Sequence, residues 1–162
     1  MLRQTLILAL FLLLSACATQ TPPASTSQQD LEKALADIAI VRQTMVNAFS
    51  NGEVESYLNV LSDDVVFDHW RLPAIQGLEA SRALMISMYK RAEFFVSYEP
   101  VEVVVNGNFA YDRGVWHERM TVKATGVTTQ DAYGNLQMYK RGEDGRWRMS
   151  LSIWNRDDLP LK

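Results

Sequence analysis

The residues with the most chemical potential are His69, His117 and Cys17, the two histidines and the single cysteine of the chain. His69 lies in the β-branched and aromatic run Val65–Trp70, where strand alternation puts Val65, Phe67 and His69 on one face. An imidazole titrates near pH 6.5, so His69, with Asp68 beside it, is a candidate general base. The alternative is a strand-end histidine that hydrogen-bonds locally. His117 precedes Glu118 and could join His69 on a metal, but two histidines without a recognised ligand spacing make no metal signature. Arg113 shares the strand face of His117 and suits either an anionic ligand or an exposed sheet position. No glycine-rich phosphate loop and no nucleophile elbow is present, so no cofactor is expected. Cys17 has no second cysteine to pair with, and it follows the small residues Ser15 and Ala16. Its expected chemistry is that of a lone nucleophilic thiol.

What precedes that thiol explains its use. Arg3 and the apolar run Leu6–Leu14 have the charge and hydrophobicity of an export signal. Nine helical residues span about 14 Å against a hydrocarbon core of about 30 Å, too short for a permanent crossing. Leu14-Ser15-Ala16-Cys17 resembles the lipobox of bacterial lipoproteins. The resemblance implies removal of residues 1–16, lipidation of Cys17 and anchoring in the cell envelope. Several acyl chains hold stably where one alone is marginal. Ala18 in place of an aspartate resembles the outer-membrane sorting pattern, on the periplasmic side. Residues 17–29, with Pro22-Pro23 and many Ser and Thr, read as a lipidated cysteine plus an extended tether.

The remainder has the composition of a globular domain: 48% hydrophobic and 22% charged residues, with a net charge of −3. A mildly acidic chain without a basic run is a poor partner for nucleic acid. The domain is expected over 30–158, with 159–162 as a tail. Ser27 and Asp30 resemble a capping box opening a helix whose apolar face carries Leu31, Leu35, Ile38, Met45 and Phe49. Asn51-Gly52 ends it. Val54, Tyr57, Leu58 and Leu61 predict a short second helix, broken by Asp63-Asp64 before the strand Val65–Trp70. Gly77 precedes a third helix burying Leu84, Met85, Met88 and Ala92. Strands are then expected at Val101–Val105, Phe109–Val122, Thr128–Arg141 and Arg146–Trp154, with turns at Asn106-Gly107 and Gly142–Gly145. This order predicts an α+β fold, three helices packed on one face of an antiparallel sheet.

"FSNGEVESYLNVLSDDVVFD", "QGLEAS" opening a helix and "YKRGEDGRWRMSLSIW" closing the sheet resemble the nuclear transport factor 2-like superfamily, in particular its SnoaL-like and ketosteroid-isomerase-like domains. The resemblance covers nearly all of 30–158. It implies a cone-like α+β barrel with an internal pocket and a tendency to form homodimers. It also places His69 where steroid isomerases carry their general base. The tyrosine of that site corresponds to Met45, which donates no hydrogen bond, and its acidic partner to Gln137. Oxyanion stabilisation is often the largest catalytic term, so steroid isomerisation is not expected. On the last strand, Arg148, Ser150, Ser152 and Trp154 are taken as the pocket face. The expected pocket comprises Phe67, His69, Gln137, Tyr139, Ser152 and Trp154. Three functions are compatible: a membrane-anchored domain binding a small, partly apolar molecule or a partner protein; a SnoaL-like isomerase, cyclase or hydratase; and a structural envelope protein dimerising through its sheet. Fold alone does not choose among them.

Overall fold

The computed structural model describes residues 27–69 and 73–155. The leader, Cys17, most of the tether, residues 70–72, the last three residues of the expected domain and the 159–162 tail lie outside the described residues.

Helix α1 runs over Gln28–Asn51, starting two residues before Asp30. The Ser27 hydroxyl accepts from the Asp30 backbone N–H at 3.1 Å, satisfying one of the helix's free N-terminal donors. Ala34, Ile38, Val41, Met45, Ala48 and Phe49 form its buried face. Gly52 closes it in the left-handed region at φ 71°, which glycine adopts without strain. Helix α2 is shorter than its apolar periodicity predicts, Val54–Leu58. Leu61 instead starts strand β1, Leu61–His69, which contains Asp63-Asp64. Those aspartates are exposed, and Asp64 receives a 2.6 Å hydrogen bond from Lys140 Nζ. A strand edge with solvated charges accommodates residues that would break a helix.

Strand β2 is Ile75–Gln76, and helix α3 spans Leu78–Arg91. Ala92 is the first residue of β3, Ala92–Asn106, rather than the last of the helix. The long strand β3 pairs with β4, Phe109–Val122, across the Gly107-Asn108 turn. Strand β5 is Thr128–Arg141 and β6 is Trp147–Asn155.

The six strands lie in the order β2-β1-β6-β5-β4-β3, in a curved, unclosed sheet with the three helices packed on it. The pairing is mixed. β1 runs parallel to β6, with Phe67 opposite Ser152 and His69 opposite Trp154, while all other neighbours are antiparallel. Strand β2, helix α3 and strands β3 to β5 separate β1 from β6 in the chain, so β1 meets β6 by long-range pairing. No local turn signal records that arrangement.

Two irregularities shape the sheet. Between Pro100 and Glu102 the register slips, and Gly114 lies opposite. A Cβ on Gly114 would sit 2.3 Å from the Glu99 carbonyl oxygen, so only glycine fits there. The second slip sets Met138 opposite Leu151 but Tyr139 opposite Met149. Ser150 is the extra residue, and side-chain alternation reverses across it. Trp147 and Met149 are therefore buried before the bulge, and Ser152 after it. The expectation of one continuous inner row, Arg148 to Trp154, is corrected accordingly.

Candidate functional site

Between the helices and the sheet lies a cavity of about 560 Å³. Every element contributes to its wall. Phe49 comes from α1, Tyr57 from α2, Phe67 and His69 from β1, and Ile75 from β2. Helix α3 supplies Ser81, Leu84, Met85, Met88 and Arg91, and Ala92 and Phe94 open β3. Strand β4 adds Trp116, Glu118, Met120 and Val122, β5 adds Tyr133, and β6 adds Trp154. Small-molecule sites of this size are typically apolar, with a few placed polar groups.

Aromatic rings form much of the wall. Phe67 stacks on Trp154 at 5.6 Å between centroids and on Tyr57 at 6.3 Å. Phe49 meets Trp116 edge-on at 5.6 Å and Phe94 at 5.4 Å. His69 lies 6.1 Å from the Trp154 ring and 6.3 Å from that of Tyr133.

Of the expected pocket residues, Phe67, His69 and Trp154 line this cavity, and Gln137, Tyr139 and Ser152 do not. The latter three are fully or nearly fully buried in a hydrogen-bonded chain of their own. The Tyr139 hydroxyl donates to Gln137 Oε1, Gln137 Nε2 donates to Asn135 Oδ1 at 2.8 Å, and Asn135 Nδ2 donates to Ser152 Oγ at 3.0 Å. The resemblance that suggested Gln137 and Ser152 carries no information about depth. Asp68 projects from the opposite face of β1 and is exposed, so it does not share the cavity with His69. Met45 is packed in the core.

His117 is likewise on the outer face, its Nε2 3.7 Å from Glu99 Oε2, which separates it from His69. Arg113 is exposed there beside Glu102. Among the described residues, no group of three or more His, Cys, Asp or Glu could hold a metal.

Two ionisable residues of the cavity were named in the sequence only for other reasons, Tyr57 for its helix face and Glu118 for its place beside His117. Tyr57 is 5% exposed, and burial pushes its hydroxyl well above the usual phenol range, with Tyr89 adding to the effect. It stays neutral throughout the physiological range and can donate a hydrogen bond to a ligand. Glu118 is half-buried, and burial also raises its carboxyl above the ordinary glutamate value. The Trp116 indole offsets part of that shift, and the Asp131 charge adds to it. The signal for Glu118 is its parity: it falls in the inward row of Trp116, Met120 and Val122, between the outward-facing His117 and Arg119.

Comparison with known proteins agrees with this architecture. The profile of the family described as SnoaL-like domain matches residues 41–149. No curated protein matches the chain. Among solved structures, a ketosteroid isomerase-like protein from Erwinia carotovora atroseptica is 25% identical, with a TM-score of 0.71, covering 78% of this chain and 98% of that one. A nuclear transport factor 2-like superfamily protein from Salmonella enterica is 14% identical, with a TM-score of 0.69, covering 82% of this chain and 99% of that one. A hexachlorocyclohexane dehydrochlorinase from Novosphingobium barchaimii is also 14% identical, with a TM-score of 0.73, covering 81% and 91%. The last two similarities are of fold. With the family match spanning residues 41–149, most of the chain, the protein belongs to the SnoaL-like domain family.

Proposed function

We propose that the chain is a lipid-anchored envelope protein whose domain takes up one small, predominantly apolar molecule. The observation that carries the binding reading is the aromatic cavity of about 560 Å³, with Tyr57 as a buried donor on its wall. Binding is favoured over catalysis because the two positions that correspond to an isomerase's oxyanion donors offer none to the cavity. Met45 fills the core, and both ends of the Gln137 amide are bonded within the protein.

The anchoring half rests on Leu14–Cys17. Cys17→Ser should abolish incorporation of radiolabelled fatty acid and leave a precursor or soluble form. Membrane partitioning equal to that of the wild type would remove lipidation as the anchor.

The binding half is tested with N-phenyl-1-naphthylamine, a neutral apolar fluorophore, on a soluble chain starting at Ala18. Saturable uptake at one probe per domain is expected, with quenching of the tryptophan emission to which Trp116 and Trp154 contribute. Fluorescence rising linearly with probe, without saturation, would contradict a defined site.

A further inference from the structure

On β4 the cavity face reads Trp116, Glu118, Met120 and Val122, so a single carboxyl interrupts an apolar wall. Among the described residues no cation acts on the Glu118 carboxyl strongly enough to offset its burial, and its one side-chain donor is Trp116. Its cross-strand partner is Asp131, a second acid that worsens the electrostatic cost. A partly desolvated carboxylate without a counter-charge is expensive, and a positively charged ligand would recover that cost. The next pair along the same two strands is Trp116 and Tyr133, both lining the cavity. Aromatic rings attract cations, most strongly where water is excluded. Arg91 also lines the cavity, but it is exposed and its Nε donates to the Ser87 carbonyl at 3.2 Å, so solvent screens its charge.

We propose that the cavity receives a hydrophobic amine in its ammonium or quaternary ammonium form, with Glu118 as counter-ion and the Trp116 and Tyr133 rings beside the cationic head. The proposal rests on the ligand-cavity reading and names the class of molecule that the cavity selects. An anionic head would be repelled by Glu118, and a plain hydrocarbon would leave that carboxylate uncompensated.

The probes are benzyltrimethylammonium, a permanent cation, with 2-phenylethanol and phenylacetate as neutral and anionic comparisons. Binding is measured by calorimetry on the full chain in phosphatidylcholine nanodiscs, with empty nanodiscs as the blank. Benzyltrimethylammonium should bind about tenfold more tightly than 2-phenylethanol. Glu118→Gln should remove that preference while leaving 2-phenylethanol affinity unchanged, which also shows that the variant is folded.

Lowering the pH from about 8 to about 5 should weaken binding of the cation in the wild type, because protonation of the raised Glu118 carboxyl removes the counter-ion. Tyr57 from α2, Tyr89 and Arg91 from α3, His69 from β1, and Asp131 and Tyr133 from β5 surround the site. All of them remain in Glu118→Gln, so a flat pH profile in that variant assigns the effect to Glu118. Equal affinity for the three probes, or unchanged cation binding in Glu118→Gln, would overturn the amine proposal while leaving the cavity reading intact. Failure of all three to bind would overturn both.

Discussion

Replacing Arg42 by methionine should cost the domain about 3–5 kcal/mol of folding free energy, the range for a buried ion pair that loses one member. Arg42 reaches from α1 to Asp112 on β4, whose side chain is 0% exposed. Tyr98 on β3 donates its hydroxyl to Asp112 Oδ1 at 2.9 Å, and the Arg42 guanidinium lies 5.7 Å from the Tyr98 ring centre. The cluster ties the helix to two strands. Without Arg42, one neutral hydrogen bond would have to compensate a carboxylate shut away from water. Adding Asp112→Asn to Arg42→Met should restore part of the loss, because the stranded charge is gone. Urea unfolding of the two variants measures the difference. A single-variant loss below about 1 kcal/mol would show that Asp112 finds water or another partner.

Phe49→Ala should have an effect of similar size, about 3–5 kcal/mol, with a fall in Tm on the order of 10 °C. Phe49 ends the buried face of α1 and touches the rings of Tyr57, Tyr89, Phe94 and Trp116 at 5.4–5.8 Å. It therefore joins three helices to β3 and β4 at one point. The vacated volume would merge with the existing cavity, so the variant should also accept larger probes than the wild type. Scanning calorimetry and probe titration check the two halves. Unchanged stability would mean that the surrounding rings collapse into the space.

Features written in short stretches of chain were readable from sequence. The α1 face from Ala34 to Phe49, its Ser27 cap and its Gly52 stop each depend on neighbours within one or two turns. The β3–β4 turn likewise depends on a few local residues. What escaped depends on partners distant in sequence. The parallel pairing of β1 with β6 is one case, and Asp63-Asp64 within a strand, stabilised from Lys140, is another. The bulge at Ser150 is a third, since nothing in its immediate sequence marks where the inner row changes parity.

The site shows the same division. Alternation put Phe67 and His69 on one face of their strand, and both line the cavity, whereas Gln137, which only the resemblance supplied, and Tyr139 are buried outside it. It could not separate the wall of a cavity from the packed core beneath it. That distinction is tertiary: α3 lines the cavity together with Phe67 and Trp154, while Tyr139 and Gln137 are buried outside it. Tyr57 shows the converse. On a helical wheel its ring reads as core packing, and only the tertiary arrangement exposes it to the cavity.

The central claim is that this cavity is where a ligand sits, and Leu84→Trp tests it most directly. Leu84 is half-buried on α3 and lines the cavity, so an indole there would occupy space that the ligand needs. The measurement is the affinity of the soluble chain for N-phenyl-1-naphthylamine, with circular dichroism confirming that the fold is retained. The account predicts at least tenfold weaker binding in Leu84→Trp, about 1.4 kcal/mol or more. Equal affinity in a folded variant would contradict it and move the ligand site away from α3.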